Sequence, residues 1–135
     1  MKNKILIIFD NLEDAIKASF QEKFKFGYKE RVIIERNLFA LLLILSEIED
    51  LNINSFSSSK LDDYMSKYQE DKKNSYYQII KDIFEIKIFL QKLSSASSYV
   101  QGDLLLNLGL SKNRTYPFIN RKISKIKKRM LNIIL

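Results

Sequence analysis

Apolar residues recur along most of this chain at spacings of three and four, the mark of helices that each bury one face. Leu12, Ala15, Ile16, Phe20 and Phe24 form the first stripe and predict a helix over residues 11–24. Asp10 precedes it as an acceptor for the backbone N–H of Leu12 or Glu13, and Glu13 stands at the capping-box position. Ile5 to Phe9 is an apolar run of five, too short for periodicity to assign, so a short N-terminal strand or an extended arm is expected there.

Gly27 interrupts the pattern, and a second helix is predicted over 29–49 with Ile34, Leu38, Leu41, Leu45 and Ile48 on its inner stripe. Val32, Ile33, Phe39, Leu42, Leu43 and Ile44 widen that stripe to most of the circumference, which places this helix at the centre of the core. Residues 50–59 (DLNINSFSSS) are rich in turn formers, and Ser59-Lys60-Leu61-Asp62 opens a short helix to about Tyr68. After a polar connection at 69–74, a long helix over 75–93 carries Tyr76, Ile79, Ile80, Ile83, Phe84, Ile86, Phe89, Leu90 and Leu93, and the serines of 94–98 end it. Residues 99–110 are apolar with Gly102 and Gly109, and a final helix follows Ser111. Its residues Ile119, Ile123, Ile126, Met130 and Ile133 make a heptad-like seam. That seam suits docking on the domain, pairing with a second subunit as a homodimer, or lying on an anionic membrane.

Composition supports this picture. A chain of 135 residues, 46% hydrophobic, with three glycines and one proline, is sized for one domain built from long helices. The expected fold is all-α, a single bundle of five or six helices, with a helical body at 1–98 and a basic helical unit at 99–135. The longest apolar run, Leu38 to Leu45, falls well short of a bilayer span, and the start of the chain lacks a signal-peptide cleavage site, so a cytoplasmic protein without a membrane segment is expected.

Charge narrows the partner. Residues 1–103 hold 15 Lys and Arg against 16 Asp and Glu, whereas residues 104–135 hold eight cations and no carboxylate. The whole net charge of +7 therefore belongs to the last quarter, the pattern of a surface for a polyanion. With no histidine and no cysteine, the commonest neutral-pH base, the usual zinc ligands and disulfides are all missing. No phosphate-cradling glycine loop or nucleophile elbow is present either. The acidic clusters Glu13/Asp14, Glu47/Glu49/Asp50, Asp62/Asp63 and Glu70/Asp71 fall at helix ends or in loops and read as solvated charge. Neither an enzyme nor a cofactor or metal site is expected.

Within 103–116, Asp-Leu-Leu-Leu-Asn-Leu-Gly-Leu-Ser-Lys-Asn-Arg-Thr-Tyr reads as an apolar short helix, a turn at Gly109, a buried Leu110, an N-cap at Ser111 and a basic helix. This segment resembles a helix-turn-helix and, taken with residues 119–129, the C-terminal unit of sigma-region-4-like phage late-transcription regulators of the RinA and ArpU type. The resemblance implies that Lys112, Asn113, Arg114 and Thr115 reach base edges while Arg121, Lys122, Lys125, Lys128 and Arg129 hold the backbone. Pro117 opens two readings: either it lies inside the last helix, or the helix begins there and 111–116 is a basic loop. Residues 29–93 resemble the core-binding helical domain of tyrosine recombinases, although the catalytic residues of that family have no counterpart here. The expected function is a small DNA-binding (or RNA-binding) transcriptional regulator of phage or mobile-element type. The alternative is a protein-binding inhibitor that uses the same basic helix against an acidic partner.

Overall fold

A computed structural model describes residues 1–20, 28–95 and 112–134, with side chains except at 20, 93–95 and 112–116. Its elements in chain order are α1 (Lys2–Phe20), α2 (Tyr28–Glu49), the short α3 (Leu61–Met65) between two 3-10 turns, α4 (Ser75–Ser95) and α5 (Lys112–Ile134). The described residues contain no strand.

α1 starts some nine residues before the expected point, which removes both the N-terminal strand and the extended arm. Asp10 is an exposed residue of the helix interior rather than its cap. The reason is energetic. Ile5, Ile8, Phe9, Leu12 and Ile16 form one continuous inward stripe, each less than 9% exposed. Burying Ile5, Ile8 and Phe9 stabilises by about 1.5–3 kcal/mol each, whereas a capping bond at Asp10 contributes about 1 kcal/mol.

α2 runs where the pattern places it, with Ile34, Leu38, Leu41, Leu42, Ile44 and Leu45 buried. It ends in a Schellman arrangement: Asp50 takes a left-handed φ of 53°, and the Leu51 N–H donates back to the Ser46 carbonyl at 3.0 Å. The chain then loops over α4, tied down by Tyr64, whose hydroxyl donates to the Ser55 carbonyl at 2.9 Å. α4 begins at a side-chain cap, with Asn74 Oδ1 accepting from the Tyr76 N–H at 2.8 Å.

The four long helices close on themselves. α1 packs on α2 and α5, α4 packs on α2 and α5, and α3 rests on α4. One apolar cluster joins Phe9 and Leu12 of α1, Leu38 and Leu42 of α2, Ile80 and Phe84 of α4, and Ile119, Ile123, Ile126 and Met130 of α5. The last helix is thus a wall of the same bundle. A second subunit cannot use its seam without displacing α1 and α4, since Ile119, Ile123 and Ile126 are fully enclosed and Ile133 is half-buried.

Pro117 lies inside α5, in its second turn, and helical backbone extends back to Lys112. The reading in which the helix begins at the proline is therefore excluded. Proline deletes the bond to the carbonyl of residue 113, at a cost of about 3 kcal/mol in a helix interior, and the buried seam that follows offsets it. The proposed first helix and turn of a helix-turn-helix, at 103–111, lie outside the described residues.

Candidate nucleic-acid interface

Burial of the α5 seam decides where its cations go. Arg121, Lys125 and Lys128 come out on the face opposite the core, all exposed. They sit at spacings of four and three, so they form a stripe about 10 Å long at the helical rise of 1.5 Å per residue. The Arg121 Nε–H donates to the Pro117 carbonyl at 3.5 Å, and among the described residues none of the three lies in an ion pair with a carboxylate.

The flanking cations are engaged. Lys122 Nζ lies 3.1 Å from Glu85 and Arg129 Nη1 lies 2.9 Å from Asp82, both on α4. Lys127 Nζ lies 3.7 Å from Glu13 on α1. Lys122 also stands over the Phe118 ring at 5.6 Å, and that ring meets Phe89 edge-on at 6.1 Å. Phe118, Arg121, Lys122 and Lys125 together line an open hollow on the bundle surface. Of the five expected backbone contacts, three therefore share the outward face and two serve first to hold α5 on α4. The four expected base-reading residues, 112–115, are helical and form the first turn of α5, with side chains outside the described set.

A further charged residue went unnoticed in the sequence. Lys87 is only 6% exposed, and its ammonium donates to the Phe56 carbonyl while resting 4.7 Å over the Phe56 ring and 5.8 Å over that of Phe84. Burial holds its pKa below the ordinary lysine value, with the Glu35 carboxylate opposing that shift and Arg31 adding to it. The signal was available, because position 87 is four after Ile83 and three after Phe84, on the inward stripe of α4. Its place beneath the 50–60 loop, with its ammonium on the Phe56 carbonyl, makes it an anchor for that loop.

The acidic clusters disperse. Glu13 pairs with Lys127, Glu49 with Lys67 at 3.1 Å and Asp63 with Lys60 at 3.9 Å, while Asp14, Glu47, Asp62, Glu70 and Asp71 are exposed. Among the described residues no three His, Cys, Asp or Glu side chains gather where a metal ion could be held, and no helix is long and apolar enough to cross a membrane. No protein-family model, no curated protein and no solved structure matches this chain, so what it does has to be argued from the surface of α5.

Proposed function

We propose that the protein binds nucleic acid through the outward face of α5, acting without catalysis as a small DNA-binding regulator of the kind found on mobile elements. The observation that carries this reading is the stripe of Arg121, Lys125 and Lys128, three exposed cations on one rigid helix face with no carboxylate paired to them among the described residues. Burial of the seam would put polar side chains on this face in any case, and what marks it is sign, since every charged residue of α5 is a cation. Cations lined up over about 10 Å meet several phosphates of a duplex, whose charges lie about 1.7 Å apart along the axis. Continuation of the helix back to Lys112 supports the reading further, because it makes residues 112–115 the first turn of the same helix that carries the stripe.

The test is binding to a duplex of random sequence across a salt series. Affinity should fall linearly in log–log terms, and Arg121→Glu/Lys125→Glu/Lys128→Glu should abolish binding while the far-ultraviolet circular dichroism stays helical. The milder Gln triple variant should flatten the salt slope by roughly 2 to 3, since each phosphate contact contributes about 0.9. A wild-type protein without measurable affinity at low salt would refute the reading and favour an acidic protein as the partner.

A further inference from the structure

The edges of α5 carry a second message. Three of its cations are held by carboxylates from other helices, and two of those pairs border the exposed stripe directly. Lys122, paired to Glu85, lines the same hollow as Arg121 and Lys125. Arg129, paired to Asp82, neighbours Lys128 in the chain and lies one turn past Lys125. The two carboxylates differ in setting. Asp82 is only 14% exposed and grips its arginine at 2.9 Å, whereas Glu85 is 44% exposed and stands between Lys122 at 3.1 Å and Lys81 at 3.9 Å.

A phosphate entering this hollow meets Arg121 and Lys125, which no carboxylate among the described residues pairs, and Lys122, which is already satisfied from inside the molecule. It must draw Lys122 off Glu85 or accept a carboxylate nearby, and both oppose binding. An exposed pair of this type contributes at most about 1 kcal/mol, so a row of phosphates that meets several cations at once offsets the exchange. A cation neutralised internally also has little condensed counterion to release, so it adds little to the salt dependence while the pair is intact.

We propose that Asp82 and Glu85 set the affinity of this surface: they are built-in competitors that weaken its hold on duplex DNA and lower the salt dependence of that binding. The inference rests on the nucleic-acid-binding reading above. In Asp82→Asn/Glu85→Gln the two amides keep the shape of the carboxylates and remove their charge. Lys122 and Arg129 then become available alongside Arg121, Lys125 and Lys128.

The experiment titrates the full chain against a labelled random-sequence duplex over a potassium chloride series. Wild type is compared with Asp82→Asn/Glu85→Gln, and with Asp62→Asn/Asp63→Asn, which changes net charge equally on α3. The expected result is duplex binding about tenfold tighter at low salt for the first variant, with a salt slope steeper by up to about 2, and little change for the second. Should Asp82→Asn impair folding, judged by a urea melt, Glu85→Gln alone should give a slope steeper by about 1. Wild-type binding that neither variant alters, or that both tighten alike, overturns the competitor role and leaves the DNA-binding reading standing. Failure of wild type and variant alike to bind overturns both.

Discussion

Glu49 closes α2, and its surroundings make it a pH-dependent contributor to stability. Burial would raise its carboxyl, but the Lys67 ammonium at 3.1 Å and the nearby hydroxyls of Tyr76 and Tyr68 outweigh that and hold it below its ordinary value. A carboxyl lowered on folding stabilises in full above the unfolded value of 4.5, and the contribution drains away as pH falls through the folded one. Glu49→Gln should therefore cost about 1 kcal/mol at neutral pH and progressively less under acid, a trend visible in urea midpoints at several pH values. A pH-independent cost would show that shape, and not charge, matters there. One residue on, Asp50 tolerates a left-handed backbone that glycine adopts without a steric penalty, and it puts an anion at the negative end of a helix. Asp50→Gly should raise stability by about 0.5–1 kcal/mol and Asp50→Val should lower it, as thermal melts would show. Neither the φ of Asp50 nor the company of Glu49 is visible along the sequence, because both depend on where the loop after α2 returns.

At the scale of elements, α2 and α4 were legible to within a residue or two, since their apolar stripes are long and turn formers or polar connections bound them. α1 was legible only in its second half. Ile5 to Phe9 reads as ambiguous in isolation because all five positions are apolar, and only the neighbouring helices select Ile5, Ile8 and Phe9 as the inward ones. α5 poses the sharper problem, for Pro117 is compatible with a helix start by local rules yet sits in the second turn. Because it is exposed and its ring contributes nothing to the seam, Pro117→Ala should restore the missing backbone bond and stabilise by about 1–2 kcal/mol, after allowance for the freer unfolded chain. A loss of stability on that change would mean the helix is shaped around the proline.

For the molecule as a whole, α5 belongs to the same core as α1, α2 and α4, so the helix has no stability apart from the bundle. Ile123→Ala, at a fully buried position, should cost about 2–4 kcal/mol and shift the unfolding of the entire bundle. Circular dichroism and tyrosine fluorescence, six of whose seven reporters lie outside α5 in the sequence and only Tyr116 within it, should then move together. Divergent transitions would mean that α5 melts as an independent element.

What the sequence by itself determined is the class of fold and the sign of the surface. Periodicity, scarce glycine and proline, and a cation block without carboxylates are properties of the chain that no packing arrangement can alter. Only the tertiary structure decided that the α5 seam is consumed within the chain, that Lys122, Lys127 and Arg129 are spoken for by Glu85, Glu13 and Asp82, and that Arg121, Lys125 and Lys128 face outward together. The pairs span 37 to 47 residues on α4 and more on α1, and nothing local encodes them. They follow from burial: once Ile119, Ile123, Ile126 and Met130 turn inward, the helical repeat leaves each remaining cation one place to stand.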